Sequence, residues 1–186
     1  MADLNRIPPP ARPPASGRRD STVRDPTDFS EAELRQVVEL MFYAYRDFTG
    51  RADAVLADSD MGRAHHRALH FIGRNPGITV AELLAILRIT KQSLARVLNE
   101  LIARGYVVQE RGHTDRRQRR MHLSPSGAAL VREVSAAQQA LVAEALAAGG
   151  SEAPAMLRLV LGRMIAPKDR SAILQQIYGP EAEKPA

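Results

Sequence analysis

Residues 79–105 read TVAELLAILRITKQSLARVLNELIARG, and this stretch decides the fold. Thr79 with Glu82 makes a capping box, which predicts a short helix over 80–87. Arg88 and Ile89 are left for a turn. Thr90 then caps a longer helix running to about Arg104, and Gly105 stands where a helix stops. At helical periodicity Leu94, Val97, Leu98, Leu101 and Ile102 share one side and form a core stripe. Gln92, Arg96 and Asn99 fall on the opposite arc, with Ser93 beside it and Lys91 at the exposed N-terminal end. A short capped helix, a tight turn and a second helix with a polar outer face make a helix-turn-helix. In that arrangement the start of the second helix lies nearest the base edges of the major groove. Gln and Asn pair bidentately with adenine and Arg with guanine. Thr90, Lys91, Gln92, Ser93, Arg96 and Asn99 are therefore the candidate DNA contacts on this helix. An ordinary solvated face uses the same residue types; the capped helix and turn before it favour DNA reading.

The chain that follows adds an independent signal. Tyr106 to Glu110 reads as a strand, Arg111 to Arg119 as a polar, turn-rich stretch, and Arg120 to Leu123 as the return strand of a β-hairpin. Arg111, Arg116, Arg117, Arg119 and Arg120 stand around a single acid, Asp115. So many guanidinium groups on one exposed hairpin are costly to hold together unless a polyanion neutralises them. Arginine suits phosphate through its bidentate fork and narrow minor grooves through its weak hydration. Asp115 is expected to orient a neighbouring arginine by ion pairing. These residues join the candidate DNA contacts.

Charge along the whole chain agrees. The 186 residues carry a net charge of +5, but residues 60–127 hold 12 Lys/Arg against five Asp/Glu, while the rest hold 14 against 16. Positive charge is concentrated in the middle third, as a footprint for a polyanion would be. Cysteine is absent, which excludes disulfides and thiolate zinc sites. There is no stretch resembling a signal peptide and no run long enough to span a membrane, so a cytoplasmic protein without a membrane partner is expected. No nucleophile motif, glycine-rich phosphate loop or framed pair of acids is present. An enzyme is therefore not expected, and neither is a cofactor.

Outward from this module, residues 1–27 are rich in Pro and Arg and read as a disordered tail. Residues 28–60 hold an N-terminal helix capped by Ser30 and reaching about Leu56. Its stripe of Leu34, Val37, Val38, Met41, Phe42, Tyr45 and Phe48 is suited to dimerisation. Residues 61–126 are the DNA-binding domain. It starts with a helix from Arg63 to Ile72 that is expected to stop at Gly73, before Asn75-Pro76-Gly77. Residues 127–180 hold the C-terminal, dimerising helices and residues 181–186 a frayed tail. After Ser124-Pro125 a long helix should run to about Ala148, with Leu130, Val134, Ala137 and Leu141 in a seven-residue recurrence. Gly149-Gly150 breaks it, and helices over 154–165 and 167–178 follow. The fold class expected is mainly α with a small β-hairpin wing: a winged helix-turn-helix plus a helical dimerisation region. At about 1.5 Å per residue the long helix spans roughly 36 Å. That is more apolar length than one small module covers, so a symmetric homodimer is expected.

The order of elements, Asp115-Arg116-Arg117 and the following Leu123-Ser124-Pro125-Ser126-Gly127 resemble the MarR-type winged helix-turn-helix regulators. Within them, Gly62 to His66, Ile89 to Ser93 and Ala166 to Arg170 are most similar to the PetP-type branch. The resemblance covers about Phe29 to Tyr178. It implies a homodimeric transcriptional regulator on double-stranded DNA with a pseudo-palindromic operator. It also implies recognition helices in successive major grooves, and Asp115 and Arg117 matching the family's wing pair at the flanking minor groove. Most members repress transcription and release DNA when a small molecule binds between the dimer helices and the winged domain. Many carry Gln in the second helix where this chain has His65.

What such a small molecule would meet is open on the residues themselves. Phe42, Tyr45 and Arg46 share a helical face and could anchor a small aromatic or anionic effector, with His65 and His66 as further contacts. Equally, the aromatics could be core and Arg46 could pair with a nearby acid. His66 and His70, four apart, could share a metal, although no carboxylate or cysteine completes the set. His65, His66 and His70 could also be structural. Besides the transcriptional regulator, two further readings stand: a winged-helix protein adaptor, and a metal-responsive regulator using the three histidines.

Overall fold

The computed structural model describes residues 25–111 and 118–179. The chain divides into two compact units, one ending at Met41 and one beginning at Phe42.

The first unit starts earlier than the sequence suggests. Residues 25–27, read as part of a disordered tail, are the cap, Asp25, and first two residues of a short 3-10 helix, Pro26–Asp28. Asp25 accepts from the Thr27 amide at 2.9 Å and the Thr27 hydroxyl at 2.6 Å, and Asp28 reaches back to the Asp25 amide at 2.8 Å. Local side-chain hydrogen bonds thus replace the missing apolar anchors. The rest of the tail, residues 1–24, lies outside the described residues. Helix α1, Glu31–Leu56, begins at Ser30, which exchanges hydrogen bonds with Glu33 as a capping box. In this unit Leu34, Val37, Val38, Leu40 and Met41 are all exposed.

The second unit is built around α2, Arg63–Arg74, which packs on all its neighbours: α3, Val80–Leu87; α4, Lys91–Ala103; and α5, Pro125–Gly149. Leu69 and Ile72 of α2 meet Leu83, Leu94, Leu101 and Met121 in a core that excludes water almost completely. The last turn of α1 joins it through Ala52 and Leu56. The stripe expected on α4 is buried as predicted at Leu94, Val97, Leu98 and Leu101, with Ile102 half-buried.

Gly73 does not stop α2, which continues to Arg74. A Cβ at Gly73 would come within 2.9 Å of Leu123 Cδ1, so its small size serves the packing of α2 on the sheet. The helix ends instead at Asn75, whose amide and side chain both donate to the Phe71 carbonyl, at 3.0 and 2.9 Å. That arrangement satisfies an end-of-helix acceptor without a glycine.

The predicted hairpin is present as β2, Val107–Arg111, and β3, Arg119–Leu123. A third strand joins it: β1, Ile78–Thr79, pairs with β3 to give the antiparallel order β1-β3-β2. Ile78 lies opposite Met121, and Met121 opposite Gln109. Residues 112–117 at the hairpin tip, including Asp115, Arg116 and Arg117, lie outside the described residues.

Beyond α5 come α6, Ala153–Met164, and α7, Pro167–Tyr178. The start of α5 is pinned to the sheet. Ser124 caps it by accepting from the Gly127 amide at 3.0 Å while donating to the Gly105 carbonyl at 2.6 Å. A Cβ at Gly127 would stand 2.1 Å from the Tyr106 carbonyl oxygen, so only glycine lets helix and strand approach this closely. Among the described residues no helix is long and apolar enough to cross a membrane.

Candidate nucleic-acid interface

The turn between α3 and α4 sets the interface. Thr79 and Glu82 close the predicted capping box on α3: the Thr79 amide donates to Glu82 at 2.8 Å and the Glu82 amide to the Thr79 hydroxyl at 3.3 Å. Arg88 ends α3 in the left-handed region, with φ of +52°. Thr90 then caps α4, its hydroxyl accepting from the Ser93 amide at 3.1 Å and meeting the Ser93 hydroxyl at 2.8 Å. Thr90 and Ser93 therefore hold the start of the helix together as well as facing outward.

Lys91, Gln92, Ser93, Arg96 and Asn99 are all exposed along α4. They form one polar face opposite the buried leucines, held rigidly by the core beneath. Arg96 is 84% exposed, yet it is not loose: its Nε donates to Glu100 Oε1 at 3.0 Å, one turn further along. Glu100 is tied in turn to α2, through His65 Nε2 at 2.7 Å. His65 Nδ1 accepts from the Gly62 amide at 3.1 Å, so its ring proton sits on Nε2 and is donated to Glu100. The Arg96 guanidinium, and then His65, hold the Glu100 carboxyl below its usual range.

On the hairpin, Arg111 and Arg119 lie directly opposite each other in the ladder. Both are exposed, and neither has an ion pair among the described residues. Like charges in that register repel. Arg120 turns back to donate to the Gly77 carbonyl at 3.3 Å. It lies opposite Glu110, whose carboxylate is 3.6 Å from His122. Arg120 thus braces the wing against the β1 turn.

The other site candidates are placed differently. Arg46 pairs with Asp47 at 2.8 Å and lies over the Tyr43 ring at 5.0 Å, while Phe42 and Tyr45 are 71% and 58% exposed. Arg46 is thus paired with a neighbouring acid, and the two aromatics are not core in the single chain. Both ring nitrogens of His65 are engaged as above. His66 and His70 meet edge to face, with centroids 6.4 Å apart. Burial lowers the pKa of both, reinforced at His66 by His70 and at His70 by Arg74. Among the described residues no group of three His, Cys, Asp or Glu could hold a metal ion.

Two functional elements are absent from the sequence reading. Glu100 could have been found from its i,i+4 spacing to Arg96. The link from His65 to Glu100 spans 35 positions and leaves no local signal.

Comparison with known proteins agrees with this geometry. Residues 59–118 match the MarR family. The chain is 48% identical over 141 residues to the HTH-type transcriptional regulator PetP of Rhodobacter capsulatus, covering 76% of this chain and 85% of that protein. Among solved structures it resembles Streptococcus pneumoniae FabT in complex with DNA (TM-score 0.59, 22% identity, 77% of this chain and 99% of that one). It also resembles an E. coli MarR mutant complexed with operator DNA (TM-score 0.58, 22% identity, 72% and 96%).

Proposed function

The chain belongs to the MarR family, and on that footing we propose that it is a DNA-binding transcriptional regulator acting as a homodimer on a pseudo-palindromic operator. The observation that carries the reading is the pairing of a rigid, exposed polar face on α4 with two exposed arginines that face each other across the wing without ion pairs among the described residues. Gln92, Arg96 and Asn99 read base edges in the major groove. Arg111 and Arg119, with Lys91 at the start of α4, contact phosphates. Asp115, Arg116 and Arg117 act at the flanking minor groove, as the family resemblance implies. A protein adaptor would gain nothing from like charges held in register. Repression, rather than activation, rests on the family resemblance alone.

The dimer is supported by apolar faces that a single chain leaves open. Leu34, Val37, Val38 and Leu40 are exposed on α1, and separately Met156, Leu159, Val160 and Leu161 on α6. Contiguous apolar surface of this kind marks an interface. A second copy covers both kinds of face.

Selection of duplexes from a random pool, followed by footprinting, tests the reading. Two half-sites about one helical turn apart are expected. With about four phosphates met per subunit, log affinity should fall with log salt at a slope of roughly −7. A slope near zero removes duplex binding as the main activity. Sedimentation should give a dimer, and Val160→Asp with Leu161→Asp should give a monomer that binds the operator far more weakly.

A further inference from the structure

The corner between α6 and α7, residues 166–170, is tied in two directions by adjacent side chains. Arg170 donates to three carbonyls at the end of α6: Gly162 at 3.1 Å, Arg163 at 2.7 Å and Ile165 at 2.9 Å. Such end-of-helix acceptors have no partner within the helix, so Arg170 locks α6 and α7 into one piece. Asp169, in the first turn of α7, pairs with Arg88 of the helix-turn-helix. A second tie joins the last turn of α7 to the end of α2, Gln176 Nε2 donating to Asn75 Oδ1 at 2.7 Å. Elsewhere a cleft of about 740 Å³, lined by Phe71, Ile86 and Ile173 among others, separates α7 from α2 and α3. Apolar packing is loose there, and the polar ties set the angle.

Arg88 has an unusual backbone for its residue type. Its φ of +52° lies in the left-handed region, which glycine adopts freely and a residue with a Cβ does not. The side chain kept at that strained position is the one that reaches α7. Ile89 alone separates Arg88 from Thr90, the cap of α4. A line of contacts therefore runs from α6, with Met156, Leu159, Val160 and Leu161 exposed, through Arg170, Asp169 and Arg88 to the helix that carries the polar face.

We propose that Arg88 and Asp169 are positioning residues for operator binding: their pair fixes the angle between the helix-turn-helix and the α6–α7 corner, and so sets the half-site spacing that the dimer accepts. The inference deepens the regulator reading and rests on its homodimer. In that reading α6 lies on the dimer side, so a fixed angle at α7 becomes a fixed separation of the two copies of α4. One extra base pair moves a half-site about 3.4 Å along and about 35° around the duplex. A rigid connection resists that shift and a loose one follows it. The pair is partly exposed, Arg88 by 62% and Asp169 by 31%, so each tie is modest, but the dimer holds two.

Fluorescence anisotropy of the full chain tests it on three kinds of duplex. These are the operator selected from the random pool, the same duplex with one base pair added or removed between half-sites, and a duplex holding a single half-site. The wild type should prefer the selected spacing. In Asp169→Asn that preference should shrink about three- to fivefold while the single half-site binds as before. Arg88→Asn should do the same, since asparagine tolerates the left-handed region but is too short to reach Asp169. The double variant should lose no more than either single one. Arg88→Asn should also melt no lower than the wild type, so its loss of spacing preference is not a loss of fold. Spacing preference kept in full by both variants overturns the proposal, and so do additive losses. Tighter binding of Asp169→Asn to all duplexes alike would make Asp169 only a repelling charge, and overturns it. Weaker binding of Arg88→Asn to all duplexes alike, the single half-site included, would make Arg88 a phosphate contact, and also overturns it. A wild type that binds duplex with no spacing preference sinks this proposal alone. If no duplex binds, the regulator reading itself is wrong.

Discussion

His65 Nε2 stands 2.7 Å from Glu100 Oε2, joining the first turn of α2 to the helix that carries the exposed polar face. Because His65 also accepts from the Gly62 amide and Glu100 also accepts from Arg96, one path of hydrogen bonds runs from the start of α2 to an exposed arginine. His65 is thus a positioning residue: it fixes the carboxylate that fixes Arg96. His65→Ala should weaken operator binding about fivefold, the worth of one ordinary hydrogen bond. The base preference relaxed should be the one relaxed by Arg96→Ala. In a double-mutant cycle the two losses should be non-additive. Additive losses, or a uniform loss across all sequences, would mean that His65 only caps α2.

The α4 face itself divides by chemistry. Gln92→Ala, Arg96→Ala and Asn99→Ala should each cost about 1–3 kcal/mol against the preferred base at one position while leaving binding to unrelated duplexes nearly unchanged. Lys91→Gln should weaken all duplexes alike. Fluorescence anisotropy over a set of single-base operator variants measures both. A uniform loss for Gln92 or Asn99 would make it a backbone contact instead.

Gly127 offers a test of the frame rather than the face. With the Tyr106 carbonyl oxygen 2.1 Å from any added Cβ, Gly127→Ala forces α5 away from the backbone that leads into β2. Such overpacking against backbone should cost about 3 kcal/mol in urea unfolding. Ser126→Ala, one residue away and exposed, should cost much less.

The contrast between Gly127 and Gly73 shows how far the sequence could be read. The helix-turn-helix was legible because its determinants are local: Thr79 with Glu82, Thr90, Gly105 and the leucine stripe each act on chain within about one helical turn. The exposed polar arc of α4 followed from the same periodicity. Gly73 misleads because a glycine packed closely on Leu123, 50 positions away, looks like one needed to end a helix. The two-residue β1 is too short for any pattern; its pairing with β3 makes it a strand. The same holds for Gln138, buried inside the seven-residue recurrence of α5, where its amide donates to the Phe48 carbonyl at 3.2 Å across 90 positions. Contacts of this kind need the fold to exist first.

Acid should loosen the second unit through its histidines. Burial first, then His70 beside His66 and Arg74 beside His70, lowers the pKa of both histidines below the ordinary 6.5. The unfolded chain therefore binds protons that the folded chain refuses. The resulting stability is full above pH 6.5 and is lost as pH falls from there toward the lower folded-state values. Thermal unfolding should show a midpoint that drops below that pH, and His66→Gln with His70→Gln should flatten the drop. Asp53 acts oppositely on His66, so Asp53→Asn should deepen it.

The wing makes a prediction with opposite signs in one variant. Arg111 and Arg119 face each other in the ladder, exposed and without ion pairs among the described residues. If their purpose is to meet phosphates, the free protein carries their repulsion and DNA relieves it. Arg111→Gln should then stabilise the free protein slightly, by roughly a few tenths of a kcal/mol. The same change should weaken every duplex and reduce the salt slope by about one per substituted site. Added salt should raise the melting temperature of the wild type more than that of the variant, since screening does part of what the substitution does. A variant that loses stability and DNA affinity together would mean that Arg111 is part of the hairpin's own framework. The reciprocal gain and loss belongs to a residue placed for its partner rather than for its fold.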